Sequence, residues 1–214
     1  MDLPSTPTGT SIPGPAGALE IQLDQADQRR ADDPIAVICH PHPLFGGSLT
    51  NKVVHMIART FKGMGVTTLR FNFRGVGRSE GEYDEGRGEQ DDLLAAVLWM
   101  RAQYPQAPLW LGGFSFGSAI ALACWQRAGA ERLLLVAPPV EHDYFPQTPV
   151  EGIDWMVIMG GADEIVAPNS VSRWVSAQPH APKYCYLDGA SHFFHGRLIE
   201  LRETLQQAWN IEHE

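Results

Sequence analysis

"APLWLGGFSFGSAIALACWQRAGA" (residues 107–130) decides how this chain folds. An apolar run over 107–113 enters a G-x-S-x-G at 113–117, and apolar residues continue at helical spacing to Gly129. A strand that turns directly into a helix is half of a βαβ unit, and such units build parallel sheets. The serine in that turn sits where a strained elbow can present a nucleophile at a strand end.

Reading outward, the alternation continues. "ALEIQLD" (18–24) alternates apolar and polar and predicts a half-buried strand. "PIAVICH" (34–40), "VTTLRFNF" (66–73), "RLLLVAP" (132–138), "DWMVIMG" (154–160) and "PKYCYLD" (182–188) predict further strands. The near-continuous apolar runs among them fit strands covered on both faces. Between them lie helical patterns: "NKVVHMIARTFKGMG" (51–65), "GEQDDLLAAVLWMRAQYP" (88–105), "PNSVSRWVSAQ" (168–178) and "GRLIELRETLQQAWN" (196–210). The expected fold class is α/β, a mostly parallel central sheet with helices on both faces. About 16 residues rich in Pro and acids separate the strands at 132–138 and 154–160, where a helix would otherwise fit. Residues 1–17, rich in Pro, Gly, Ser and Thr, read as a flexible or loosely packed lead-in to a single domain over 18–214.

Composition narrows the partners. A net charge of −9 argues against nucleic acid or an anionic membrane as the main partner. No 18-residue apolar run is present, so no transmembrane helix is expected. The N-terminus lacks the basic and apolar regions of a signal peptide. Cys39, Cys124 and Cys185 lie far apart in apolar runs and read as reduced, buried thiols, which predicts a cytoplasmic protein. His40 and His42 form an H-x-H with no third ligand nearby, so neither metal nor other cofactor is expected.

The pattern G-x-S-x-G occurs twice, at 113–117 and at "GRSEG" (77–81). With 21 glycines in 214 residues and ten serines, about 0.1 matches arise by chance, so context must decide. Ser115 has a strand before it and a helix after it. Ser79 has a strand before it, but "GEYDEGRGE" follows, without apolar periodicity. Ser115 is therefore the candidate nucleophile.

A serine needs a histidine base, and the histidine needs a carboxylate to hold its tautomer. In sheets of this kind sites gather at the carboxyl ends of strands. "GADEIVAP" follows one strand and supplies Asp163; "GASHFFHGR" follows the next and supplies His192. Glu164 is the second choice of acid and His195 the rival base. Asp188 could be a supporting group, and Asp154 stands at the wrong end of its strand. Backbone N–H groups must receive the charge that develops on the substrate oxygen. Phe116, after the nucleophile, is one expected donor. In "CHPHPLFGGSLTNK" the prolines cannot donate; His42, Leu44 and Phe45 can, with Leu44 preferred.

"HPHPLFGGSLTNKVV", "LRFNFRGVGRSEG", "GFSFG" and "SHFFHGRL" together resemble the α/β-hydrolase superfamily, most closely a group of small lidless bacterial serine hydrolases. The resemblance spans about residues 34–210. It implies a Ser–Asp–His triad on Ser115, Asp163 and His192. It also implies that "FNFRGVGRSEG" is a structural loop beside the site, with Asn72 where many members have Asp. Arg74 and Ser79 then stabilise that loop, and Arg74, His42 and Phe45 are candidates to line the site. The short segment after residue 138 leaves no room for the cap domain that many members insert there. An open site is expected, suited to small or exposed esters and thioesters. The same triad could serve peptide, lactone or acyl-transfer chemistry, or the chain could be a non-catalytic binder of acyl ligands. Natural substrate and oligomeric state are left open, a homodimer among the options.

Overall fold

The structure is a computed structural model and describes residues 10–209. Eight strands form one sheet: β1 (Ser11–Gly14), β2 (Gly17–Asp24), β3 (Ile35–Cys39), β4 (Thr67–Phe71), β5 (Leu109–Phe114), β6 (Arg132–Val136), β7 (Asp154–Gly160) and β8 (Lys183–Leu187). Their spatial order is β1-β2-β4-β3-β5-β6-β7-β8. From β4 to β8 all neighbours are parallel; β2 joins β4, and β1 joins β2, antiparallel. Among the described residues the five α-helices are α1 (Lys52–Gly63), α2 (Arg87–Gln103), α3 (Phe116–Ala128), α4 (Pro168–Ser176) and α5 (Leu198–Ala208).

Every residue of β3, β4 and β5 is buried. Strands that apolar need cover on both faces. Two helix pairs, α1 with α5 and α2 with α3, supply it. β8 is one of the two edge strands and is only partly buried. There the expectation of three buried cysteines fails for one: Cys39 and Cys124 are buried, while Cys185 on β8 is part-exposed. All three are free thiols.

The expected lead-in needs correction over 11–17. "SIPG" pairs with β2, Ser11 opposite Glu20 and Gly14 opposite Gly17, and buries Ile12. Pro13 lacks the N–H of an inner strand, but on an edge strand that loss is tolerated. Residues 1–9 of the lead-in lie outside the described residues.

Residues 137–153, between β6 and β7, carry no helix and no strand. They run over the sheet as a loop pinned by Val140, Phe145 and Val150, all buried. No cap domain is inserted there.

The loop after β4 is fastened by polar contacts. Asp92, fully buried on α2, accepts from Arg74 N (2.9 Å), Arg74 Nε (3.0 Å) and Arg74 Nη2 (2.8 Å). A bidentate pair with an added backbone bond is among the stronger polar fixtures. Removing one partner of a buried pair leaves the other charge unpaired. Asp92→Ala is expected to cost about 3 kcal/mol of stability, read from its urea midpoint.

Candidate active site

The parallel strands β5, β7 and β8 end on the same side of the sheet, and β5 lies beside β3, where the strand order reverses. Ser115 links β5 directly to α3, with φ 54° and ψ −122°. That backbone is strained for any residue with a Cβ and is tolerated where the surroundings over-determine it. Here its N–H donates to Val136 O at 2.8 Å, and its carbonyl accepts from Ser118 N at 2.8 Å. A Cβ at Gly117 would fall on the carbonyls of Cys39 and His40, and one at Gly113 on the carbonyl of Gly117. The two glycines of the motif therefore let α3 press against the end of β3.

Asp163 and His192 come together. His192 Nδ1 lies 2.7 Å from Asp163 Oδ2, with both side chains almost wholly shielded from solvent. Asp163 Oδ1 accepts from the N–H groups of Ile165 (2.9 Å) and Val166 (2.7 Å), which locks the carboxylate plane. The carboxylate holds the imidazole with its proton on Nδ1, leaving Nε2 as the basic nitrogen. The His192 ring packs on Phe114, the residue before Ser115, at 5.0 Å between centroids. Among the described residues the Ser115 hydroxyl has no hydrogen-bond partner.

The alternatives fall elsewhere. Glu164 accepts from His192 N at 3.1 Å, so it steadies the backbone of the loop rather than the ring. His195 is exposed, its N–H directed at Ser191 Oγ at 3.4 Å. Asp188 is exposed. Asp154 pairs with Arg132 and Lys183 at the opposite end of β7. Ser79 Oγ donates to Asn72 O (2.7 Å) and accepts from Glu20 N (2.9 Å), so it is committed to the loop. Asn72, in turn, accepts from Leu49 N and donates to Glu20 Oε2, a donation that an aspartate could not make. Arg74 is held on Asp92.

The expected donor Leu44 is also corrected. Its N–H is taken by His42 Nδ1 at 3.2 Å, and Phe45 N–H is taken by His42 O at 3.1 Å. The 3₁₀ turn at Pro43–Phe45 uses both groups internally. Among the described residues the His42 N–H has no partner, nor does that of Phe116 at the first position of α3. The first N–H groups of a helix have no acceptor within it. The His42 and Phe116 rings lie 5.0 Å apart, so the two residues are neighbours.

His40 is fully buried and both its nitrogens are used: Nδ1 donates to Pro41 O (2.6 Å), and Nε2 accepts from Phe73 N (3.1 Å). Among the described residues no group of three or more His, Cys, Asp or Glu could hold a metal ion. Burial pushes the His40 pKa from 6.5 down to about 4, with the Pro41 bond opposing. The unfolded chain protonates this imidazole below about 6.5, the folded protein only below about 4. The contribution is whole above pH 6.5 and is lost as pH falls toward 4, by about 3 kcal/mol in all. Urea unfolding at pH 7 and 4.5 checks this: wild type should lose about 2.5 kcal/mol more across the interval than His40→Gln.

A cleft of about 390 Å³ is lined by Gly46, Ser48, Lys52, Phe193, His195 and Leu198 among others, and the Phe193 ring lies 5.0 Å from that of His192. Around His42 and Phe116 stand the rings of Tyr83 and Tyr144. Sequence reasoning missed both tyrosines. They occur in "GEYDEG" and "EHDYF", loops with no period and no motif to mark them.

The sequence profile of the alpha/beta hydrolase fold family matches residues 44–151, a span that contains Ser115. An uncharacterized protein of Rickettsia prowazekii is 35% identical over 205 residues, 90% of this chain and 84% of the relative. Among solved structures, an alpha-beta serine hydrolase homologue from Coxiella burnetii is 40% identical, covers 93% of this chain and 95% of its own, and superposes with a TM-score of 0.89. A Xanthomonas campestris protein described as an a/b serine hydrolase without lid is 41% identical, covers 97% and 96%, and gives a TM-score of 0.89.

Proposed function

The chain belongs to the alpha/beta hydrolase fold family, and from that premise we propose that it is a serine hydrolase cleaving carboxylic esters or thioesters. Ser115 Oγ attacks the carbonyl carbon. His192 Nε2 takes its proton as the tetrahedral intermediate forms, then delivers it to the departing alcohol or thiol. Asp163 holds the ring and stabilises the imidazolium. The N–H groups of Phe116 and His42 receive the oxyanion. A water, deprotonated by His192, then releases the acid from the acyl-enzyme and restores Ser115. No cofactor enters the cycle.

The observation that carries this reading is the 2.7 Å His192–Asp163 pair, whose imidazole ring packs 5.0 Å from Phe114, the residue before the strained Ser115 elbow. With no cap over 137–153, the site favours short or exposed acyl groups. The buried free thiols Cys39 and Cys124 fit a reducing compartment, the cytoplasm. No helix among the described residues is long and apolar enough to cross a membrane.

Fluorophosphonate labelling tests the reading. Wild type should be labelled and should hydrolyse p-nitrophenyl esters; an unlabelled, folded wild type without turnover would overturn it.

A further inference from the structure

His42 can be assigned a tautomer from its neighbours. Its Nδ1 faces the Leu44 N–H at 3.2 Å, and an N–H can only donate, so Nδ1 carries the lone pair. Burial, then the nearby His142, holds the His42 pKa below that of an ordinary imidazole, so the ring is neutral at pH 7. The single proton therefore sits on Nε2. That nitrogen lies 3.2 Å from Tyr83 Oη, so Nε2–H donates and the phenol oxygen accepts. The Tyr83 proton must then point elsewhere, and among the described residues nothing accepts it. Burial, with Glu89 and Glu85 nearby, raises the Tyr83 pKa, so the phenol keeps this proton at neutral pH.

The surroundings of that hydroxyl are aromatic. The Tyr83 ring lies 5.0 Å from His42 and 6.0 Å from Phe116. Tyr144 closes the group at 5.3 Å from Phe116, and His142 stacks on Tyr144 at 5.1 Å. Phe45, 85% exposed, extends the wall from the other flank of His42 at 4.8 Å. These rings adjoin the two candidate oxyanion donors, His42 and Phe116.

We propose that this shelf is a substrate subsite, that it takes a flat, unsaturated or aromatic group, and that the Tyr83 hydroxyl donates a hydrogen bond to an uncharged acceptor oxygen on that group. The subsite rests on the proposed hydrolase reading. Rings give broad dispersion contact, and one polar group sets orientation, the usual make-up of a small-molecule site. Glu85 and Glu89 near Tyr83 disfavour an anionic acceptor. Tyr83 is a specificity residue and moves no proton in the reaction.

The test separates binding from turnover. Two unreactive amides of nearly equal shape are compared by calorimetry: 3-(4-methoxyphenyl)propanamide, which carries the acceptor, and 3-(4-ethylphenyl)propanamide, which lacks it. The ratio of their dissociation constants should shift by about 3- to 10-fold against the methoxy amide in Tyr83→Phe, the loss of one neutral hydrogen bond. A structural role for Tyr83 would weaken both amides alike. A ratio that changes less than twofold overturns the proposal, as does failure of wild type to bind either amide. Turnover of the matching p-nitrophenyl esters is read separately. Its absence with the binding ratio intact would sink the hydrolase reading and leave the Tyr83 subsite standing.

Discussion

Ser115→Ala should lower kcat on p-nitrophenyl acetate by roughly 10⁴- to 10⁶-fold and abolish fluorophosphonate labelling. Its stability should stay within about 0.5 kcal/mol of wild type. The hydroxyl makes no hydrogen bond among the described residues, and alanine keeps the Cβ, so the strained φ of 54° is unchanged. Ser79→Ala should do the reverse. Ser79 Oγ joins Asn72 O and Glu20 N, so its loss should cost about 1–2 kcal/mol while the labelled residue remains in place. The paired experiment separates two copies of one five-residue pattern. Labelling that survives in Ser115→Ala and vanishes in Ser79→Ala would assign the nucleophile to the wrong copy.

Asp163→Asn should lower kcat by about 10⁴-fold with little change in fold. The argument comes from the bonds at the carboxylate. Oδ1 accepts two backbone N–H groups, from Ile165 and Val166, so the amide oxygen of asparagine must occupy that side. The NH₂ group then faces His192 Nδ1, in place of the oxygen now 2.7 Å away. An NH₂ donates, so Nδ1 must become the acceptor and the ring proton moves to Nε2. The nitrogen that should deprotonate Ser115 is then blocked. Glu164→Gln leaves that tautomer alone and should change kcat far less. A similar loss in both variants, or a loss under tenfold in Asp163→Asn, would mean that another carboxylate orients the base.

Much of this molecule was legible beforehand, for a local reason. Strands β2 to β8 and all five helices fall within about two residues of their expected bounds, because each is coded by periodicity and by Gly or Pro at its ends. The misses share a different cause. β1 is four residues with a proline, a pattern that reads as loop until β2 offers it a hairpin partner. Leu44 was a reasonable donor in a linear reading, since only Pro41 and Pro43 are barred by covalent structure. What removes it is the way the His42 side chain folds back onto its N–H.

Sequence by itself determined the α/β class, the serine elbow and the order in which an acid and a histidine follow it. Those depend on residue spacing along one strand–turn–helix unit at a time. The tertiary structure alone decided which backbone N–H stays unpaired, that Arg74 spends its guanidinium on Asp92, that Glu164 holds a backbone rather than a ring, and that Tyr83 and Tyr144 stand beside His42 and Phe116. Each depends on groups far apart in the chain, or on a side chain folding back on its own loop. A donor's availability is settled only when every competing acceptor has been placed around it.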